Sequence, residues 1–191
     1  MLSPADEALK GCIAQRMWNA CSPFRAGFMT PMAAVAGSVA QELIACYARP
    51  GIERAWVNNG GDIALHLTPG QSMRVGLFAD LADLDAALGD VFGDACGDPP
   101  GLQGLQGVRG REGLTTHAQC EIGFEMPVRG IVTSGWRGRS FSLGIADSVT
   151  VLAQSAAMAD AAAPVIANAV NVAHPGIVRV ASVAQPGPVF A

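Results

Sequence analysis

The sequence predicts an α+β protein in which helices and antiparallel strands occupy separate stretches of a single domain, residues 1–191. Half of the 191 residues are hydrophobic, which is enough to form one core. Alanine-rich stretches with helical spacing stand near the start of the chain and again toward its end. Between them lie short runs rich in β-branched residues, separated by turn-forming residues. Because these runs follow one another with little helix between them, antiparallel pairing is expected.

Two predicted helices begin with the same signal, a hydroxyl residue followed by proline. Ser3 and Pro4 begin a helix over residues 4–20, because serine caps helices and proline suits the first helical position. Thr30 and Pro31 begin the second helix, which is expected to end near residues 50–51. Small residues are frequent in this second helix: Ala33, Ala34, Ala36, Gly37 and Ala40. They let a neighbouring backbone approach closely, so the helix is expected to pack on a sheet.

A third helix is predicted over residues 154–170, with a kink near Pro164 because proline lacks the backbone N–H. Four of its apolar residues share one stripe: Met158, Ala162, Ile166 and Val170. Strands predicted over residues 55–57, 63–67 and 73–78 are expected to form a small meander. Further strands are predicted over residues 120–125, 131–133, 140–143, 148–152 and 177–183.

A glycine-rich segment interrupts the strands. After a short helical signal over residues 81–88, glycine recurs throughout residues 89–113, together with Pro99 and Pro100. A loop of this length inside one domain is typically either a lid over a ligand or a disordered segment. Both alternatives stay open, and the segment is expected to be mobile in either case.

Composition excludes some classes of partner. The net charge is -4 and only 15% of the residues are charged, so the basic surface needed to bind nucleic acid is not expected. The longest apolar region, residues 143–170, is interrupted by polar residues and by Pro164, so no membrane span is predicted. Residues 1–10 lack the basic start and apolar run of a secretory signal, and a cytoplasmic location is expected.

The cysteines indicate neither a disulfide framework nor a metal site. Their number, five, is odd, and none forms a C-x-x-C pair or stands beside a histidine at metal-ligand spacing: Cys12, Cys21, Cys46, Cys96 and Cys120. They are interpreted as reduced thiols.

Arginines supply nearly all of the positive charge and suggest an anion site. Only Lys10 is lysine among the basic residues, and several arginines fall in the second half of the chain: Arg109, Arg111, Arg129, Arg137 and Arg139. A guanidinium group pairs bidentately with carboxylate or phosphate. For Arg109 and Arg111 solvated loop charge is the favoured interpretation, whereas for Arg137 and Arg139 the two interpretations are level.

The strongest candidate ligand contact is the turn Asn58-Asn59-Gly60-Gly61-Asp62. Its two glycines permit positive φ and carry no side chain that would keep a ligand away from the backbone. The alternative is a plain hairpin turn, since Asn-Gly is also a strong hairpin signal. A simple turn needs neither the second asparagine nor the aspartate, which favours a functional role.

Two further candidates follow from residue chemistry. Thr133, Ser134 and Gly135 precede Arg137 and Arg139 at the end of a predicted strand, an arrangement that can hold a phosphate. A nucleophilic Ser134 is less favoured, because no histidine stands near it in the sequence.

The other candidate is Asp160, a lone carboxylate within the alanine-rich third helix. Its burial is costly unless it is paired, protonated or metal-bound. Surface exposure is the alternative.

Five ordered blocks of this sequence resemble the ApbE-like family, which includes the bacterial FAD:protein FMN transferases, and in particular its short, functionally uncharacterised branch. The blocks are residues 29–37, 57–62, 133–142, 146–151 and 159–163. The resemblance implies an ApbE-like layered fold, with antiparallel sheet packed against alanine-rich helices. It also implies a ligand cleft where the glycine turn meets the Thr133-Ser134-Gly135 segment, and FAD or FMN as the candidate cofactor.

The sequence departs from the flavin transferases at three places. Their magnesium ion is held partly by an Asp-x-x-x-Thr pair, and here Asp160 is followed four residues later by Pro164, which has no hydroxyl. Ala36 stands at the position of their lysine, and the link 144–147 replaces their histidine-bearing segment. The resemblance therefore implies neither their type of magnesium site nor FMN transfer in this chain.

Three functional hypotheses follow. The first is an enzyme that acts on a small anionic or nucleotide-like ligand, with Asp160 and Asp62 as the catalytic candidates. Its binding candidates are Asn58, Asn59, Gly60, Gly61, Thr133, Ser134, Gly135, Arg137 and Arg139. The second is a non-catalytic flavin- or nucleotide-binding protein that has lost the metal and transfer residues. The third is an assembly subunit whose alanine-rich helices form a homo-oligomer interface.

Overall fold

A computed structural model describes residues 9–26, 29–77, 118–136 and 143–178. The helices are α1 (Cys12–Cys21), α2 (Val35–Ile44) and α3 (Ala156–Ala169). The strands are β1 (Arg54–Asn59), β2 (Asp62–Leu67), β3 (Ser72–Leu77), β4 (Ala118–Gly123), β5 (Gly130–Ser134) and β6 (Val149–Ala153). They form an antiparallel four-stranded sheet in the order β1-β2-β5-β6 and a two-stranded sheet of β3 and β4. The predicted α+β class is confirmed.

The predicted meander of the first three strands is wrong. β1 and β2 form a hairpin, but β3 leaves their sheet and pairs with β4. The second edge of β2 is occupied instead by β5, with Ile63 opposite Ile131 and Ala64 opposite Gly130. Met73 and Val75 of β3 pack onto the apolar cluster that contains residues of β2 and β5. Because these two side chains pack on that cluster, β3 lies in a second layer and is not a further strand of the four-stranded sheet.

The predicted first helix starts too early. Residues 9–11 are not helical, and α1 begins after Gly11, whose backbone is extended at φ -87° and ψ 136°. Glycine is unfavourable inside a helix, which explains the late start; Ser3 and Pro4 lie outside the described residues.

The start predicted for the second helix is confirmed. A 3-10 turn over Pro31–Ala34 leads into α2, which continues as a 3-10 turn over Ala45–Tyr47.

Other predictions fall wholly or partly on residues that the structure does not describe. These are the helix over 81–88, the loop over 89–113 and most of the strands over 140–143 and 177–183. Within those strands, Leu143, Ile177 and Val178 are described and are not in strand conformation, so the predictions fail at these residues. α3 continues through Pro164 without ending, and the kink there stays a prediction.

Helices and small sheet lie on opposite faces of the four-stranded sheet. α2 and α3 pack on one face, against the buried residues Ala64 of β2 and Val132 of β5. The β3–β4 pair packs on the other face, against Leu65 and Ile131. α3 buries only alanines: Ala156, Ala157, Ala159, Ala161, Ala163 and Ala167. The larger residues of the predicted stripe point outward, with Met158 47% and Ile166 45% exposed.

A helix that crosses a bilayer must be both long and apolar, and the described residues contain several helices. None of them satisfies both requirements for crossing a membrane.

The serine before α3 is expected to stabilise that helix measurably. Ser155 Oγ accepts a hydrogen bond from the Met158 N–H at 3.3 Å, as an N-cap side chain does. Ser155→Ala should lower the free energy of unfolding by about 1 kcal/mol, measured by urea denaturation. Ser148→Ala, outside any helix, is the control and should change it by less than about 0.5 kcal/mol. Equal losses in the two variants would contradict a capping role.

Candidate functional site

The glycine turn is a two-residue hairpin turn between β1 and β2. Gly60 and Gly61 have φ values of 68° and 110°, as the turns that match the twist of a hairpin require. Asn58 Oδ1 accepts a hydrogen bond from the Gly61 N–H at 2.8 Å, so this asparagine stabilises the turn itself. With respect to the described residues the space above Gly61 is open, since a Cβ added there would meet none of their atoms within 4 Å.

Asn59 connects the turn to the first part of α2. Its Nδ2 donates to the Ala36 carbonyl oxygen at 3.1 Å, across a partly buried contact. The residue is only partly exposed, unlike its neighbour Asn58. The second asparagine, which a simple turn does not need, therefore attaches the hairpin to the helix.

Asp160 of α3 reaches the same part of α2. Its Oδ2 accepts a hydrogen bond from the Gly37 N–H at 2.7 Å, and the backbone of Ala36 also hydrogen-bonds to this carboxyl. The first N–H groups of a helix lack partners within it and favour a negative charge. Asp160 is partly buried and paired, so the alternative of simple surface exposure does not describe it.

The approach of α3 to α2 depends on the missing side chain of Gly37. A Cβ at this position would lie 2.4 Å from the Ala156 carbonyl oxygen and 2.8 Å from the Asp160 Cβ. From the sequence, the small residues of α2 are expected to permit a close approach, but to a sheet. The structure shows that Gly37 provides this space for a second helix, in addition to the packing of α2 on β1 and β2.

Burial raises the pKa values of both aspartates, and the charge of Asp160 raises that of Asp62 further. Burial raises the pKa of Asp160 to about 6, against the lowering effect of the backbone hydrogen bonds from Gly37 and Ala36. Burial also raises the pKa of Asp62 to about 7, and the charge of Asp160 adds to that increase. Asp160 ionises first, which explains why its charge acts on Asp62 while no reverse effect appears. The pair thus changes its charge near neutral pH.

Cys21, at the end of α1, lies in the same electrostatic environment. Burial and, secondarily, the charge of Asp160 raise the pKa of its thiol to about 11, so the sulfur stays protonated at neutral pH. From the sequence, Cys21 is interpreted only as a reduced thiol, and no pattern there indicates that it interacts with Asp160. Cys12, Cys21, Cys46 and Cys120 are free thiols, and Cys96 lies outside the described residues.

The last two residues of β5 point to opposite faces of the sheet. Thr133 is exposed, and its Oγ1 lies 2.8 Å from Thr150 Oγ1. Ser134 is 5% exposed and lies on the opposite face, the one on which Val132 packs against α3. Among the described residues, its hydroxyl has no hydrogen-bond partner. Since β2 and β5 are antiparallel, Ser134 lies at the end of the sheet that carries the glycine turn.

Gly135 permits a close backbone contact next to this strand end. A Cβ there would lie 2.0 Å from the Asp147 carbonyl oxygen, so the position has a packing role. Arg137 and Arg139 lie outside the described residues. The structure thus brings Asn59, Asp62 and Asp160 to the start of α2, with Ser134 at the same end of the sheet.

Two further observations bound the chemistry of this region. No group of three or more histidine, cysteine, aspartate or glutamate side chains suited to a metal ion occurs within residues 9–26, 29–77, 118–136 and 143–178. A cavity of about 660 Å³ lies between α1 and α3, and neither Asp62 nor Asp160 lines it. The carboxyl pair and this cavity are therefore separate features.

Comparison with known proteins was made at the level of sequence. A family model described as AbpE bacteria matches residues 1–186. The chain is 32% identical over 168 residues to a UPF0280 protein of Methanothrix thermoacetophila, and 33% identical over 162 residues to one of Methanothermobacter thermautotrophicus. It is 35% identical over 158 residues to a UPF0280 protein of Methanopyrus kandleri.

These matches cover most of this chain but only part of each relative. They include 88%, 85% and 82% of this chain, in the order given above, and 55%, 50% and 48% of the relatives. The chain therefore spans about half the length of the curated relatives it matches. Their shared name, UPF0280, states no activity.

Proposed function

The chain belongs to the AbpE bacteria family, and we propose that it is an enzyme that transfers a proton on a small anionic or nucleotide-like ligand through Asp62 and Asp160. The observation that carries the proposal is a pair of partly buried carboxyls that interact electrostatically, Asp62 of β2 and Asp160 of α3, the second of which binds the start of α2. Neither carboxyl forms an ion pair among the described residues. Such a pair is suited to acid–base chemistry.

The pair holds a proton that it can give or take near neutral pH. With pKa values of about 6 and about 7, the two groups together carry about one proton between those values. The protonated member acts as a general acid and the ionised member as a general base. Gly37 and Ala36 hold the Asp160 carboxylate in position through their backbone N–H groups, so Asp160 is the base and Asp62 the acid in this proposal.

Charge determines how the ligand is oriented. A fully ionised pair repels an anion, so the uncharged, hydrogen-bonding part of the ligand faces Asp62 and Asp160. Its anionic part is directed toward the end of β5, where Ser134 offers a buried hydroxyl. Arg137 and Arg139, which follow in the sequence, are the proposed partners of that anion. The open space above Gly61 leaves room for the ligand beside the turn.

The relation to the ApbE-like flavin transferases is part of the proposal, as a shared ligand class and not as a shared reaction. Ala36 contributes only backbone groups: its carbonyl oxygen binds Asn59 and its N–H binds Asp160. Pro164 supplies no oxygen ligand from its side chain, and the N–H of Gly37 already occupies an oxygen of Asp160. These residues do not fit the magnesium site of that family, and no step of the proposed chemistry includes the metal.

Ligand binding should appear as thermal stabilisation that depends on the carboxyl pair. FAD, FMN and ADP are the probes, because a ligand that binds only the folded state raises the melting temperature. At least one probe is expected to raise it in the unaltered chain, and the increase should fall by more than half in Asp62→Asn and Asp160→Asn. Glu125→Gln, which alters an exposed carboxylate, is the control and should behave as the unaltered chain does. The same increase in all four proteins would rule out this site.

Proton transfer is tested by what happens to the bound probe. Mass spectrometry after incubation in deuterium oxide should detect carbon-bound deuterium in the probe with the unaltered chain, and Asp62→Asn should slow its incorporation by about 100-fold or more. The alternative is a non-catalytic flavin- or nucleotide-binding protein, which the alanine at position 36 and the proline at position 164 favour. Stabilisation by a probe that is then recovered unchanged would support that alternative and reject the enzyme.

A further inference from the structure

We propose that the cavity between α1 and α3 is a second small-molecule site, which takes an uncharged aromatic compound that carries an amide group. Its volume is about 660 Å³, within the range of about 300–1,000 Å³ that is common for ligand pockets. The proposal does not depend on the carboxyl pair or on the function assigned to it.

One wall of the cavity is polar and belongs to α1. Its lining residues recur at the three- and four-residue spacing of a single helix face: Cys12, Gln15, Arg16 and Asn19. The opposite wall belongs to α3 and, apart from the N-cap Ser155, is apolar, with Ala157, Met158 and Ala162. Pro23 and Phe24 line the cavity from the turn that follows α1. A ligand in this space therefore contacts hydrogen-bonding groups on one side and hydrocarbon on the other.

The polar wall carries no free charge. Arg16 Nη2 lies 2.8 Å from Glu42 Oε2, and Arg16 Nη1 donates to the Ser38 carbonyl oxygen at 3.0 Å. The guanidinium charge is thus neutralised, and two of its nitrogens are engaged. A ligand with a net charge would lose its hydration without gaining a counter-ion. The ligand is therefore uncharged.

Two side-chain amides define the polar part of that ligand. Gln15 Nε2 donates to the Leu9 carbonyl oxygen at 2.7 Å, which leaves its amide oxygen as an acceptor. The Asn19 amide makes no hydrogen bond within the part of the chain that the structure describes, and it offers both a donor and an acceptor. An amide on the ligand matches this pattern, because it too presents one donor group and one acceptor.

The apolar wall favours an aromatic ring. Phe24 is partly buried, and aromatic rings pack well against one another and against the sulfur of methionine. Met158, which is 47% exposed, supplies that sulfur. Ala162 leaves the space beside Met158 unfilled by its own side chain. A ring in the cavity would cover the exposed methionine.

Neither carboxyl lines the cavity, and two of the α3 residues that do line it point away from Asp160. Residues two positions apart on an α-helix point about 200° apart around its axis. Met158 and Ala162 are each two residues from Asp160, so both point away from it. Occupancy of the cavity therefore leaves Asp160 free to act.

Titration of the full chain with benzamide tests this site. The probe combines a ring with an uncharged amide, and benzoate and benzylamine are the charged comparisons. Binding is followed by the NMR signal of a ¹³C-labelled Met158 methyl group, assigned with Met158→Leu. Benzamide should shift this signal saturably, with an affinity at least about fivefold higher than that of either charged compound. No saturable shift, or equal affinities for the three compounds, would overturn the proposal.

Variants on the two walls locate the site. Ala162→Leu fills the cavity from α3 and Asn19→Leu removes the amide from α1, and each should weaken benzamide binding by about tenfold or more. Asn19 is exposed, so its variant is expected to fold even if the larger side chain at position 162 prevents folding. Asp62→Asn should leave the affinity unchanged. Unaltered binding in Asn19→Leu, or weaker binding in Asp62→Asn, would contradict a second site between α1 and α3.

Discussion

Gly37→Ala is expected to lower the free energy of unfolding by more than about 3 kcal/mol, or to prevent folding. The added Cβ would lie 2.4 Å from the Ala156 carbonyl oxygen and 2.8 Å from the Asp160 Cβ. The atoms nearest to it are backbone atoms and a side-chain Cβ, and none of them can rotate away. α2 and α3 must separate, and this separation also weakens the hydrogen bond between Gly37 and Asp160.

Urea denaturation of purified protein measures this effect, and circular dichroism shows whether the variant folds. Gly123→Ala is the matched control, because a Cβ at Gly123 would meet no atom of the residues that the structure describes within 4 Å. The control should change the free energy of unfolding by less than about 1 kcal/mol. Similar values for the two variants would show that α2 and α3 are not in the close contact described here.

Asp62→Asn is expected to stabilise the protein above pH 7 by about 2 kcal/mol. Asp62 has a pKa of about 7 in the folded protein, above its ordinary value of 3.8. The folded state therefore binds this proton more tightly than the unfolded state. The resulting stability is fully present below about pH 4 and is lost as the pH rises to about 7. Asparagine cannot ionise, so the variant does not lose this stability as the pH rises. The expected gain in unfolding free energy is set lower than the full pKa shift would give, because the carboxyl is partly exposed to solvent.

Unfolding free energies measured between pH 4 and pH 8 test this expectation. The difference between the variant and the unaltered chain should grow with pH and level off above pH 7. Glu125→Gln, at an exposed carboxylate, should show no such trend. A constant difference across this range would mean that Asp62 titrates alike in the folded and unfolded states.

Local patterns predicted most of the elements but not their partners. Short runs rich in β-branched residues between turn-forming residues located β2, β5 and β6, and Thr30-Pro31 marked the beginning of the helical segment that contains α2. The pairing of β3 with β4 depends on residues far apart in the chain, so the order of strands along the sequence wrongly suggested a meander. Gly11 shows a similar limit at shorter range, since one glycine delayed the start of α1.

For the candidate site, the types of residue allowed several of its members to be selected from the sequence, but their burial and neighbours could not be predicted. The isolated Asp160 in an alanine-rich helix and the extra Asn59 and Asp62 of the turn could be selected because each is costly or unnecessary in a plain structural role. Their shared location at the start of α2 results from tertiary packing, which no local pattern encodes. Cys21 had no local signal either, because its raised pKa depends on burial and on a charge from α3.

Because the buried residues of α3 are all alanine, they should tolerate smaller side chains but not larger ones. A side chain that is already a single methyl group leaves no cavity of consequence when it is shortened, whereas any enlargement must displace the sheet or a neighbouring helix. Saturation mutagenesis should therefore accept little beyond glycine and serine at Ala156, Ala159 and Ala163. At exposed Met158 and Ile166, residues of many sizes should be accepted. Sequencing the surviving variants would thus identify the inner face of α3 as the positions at which larger side chains are absent.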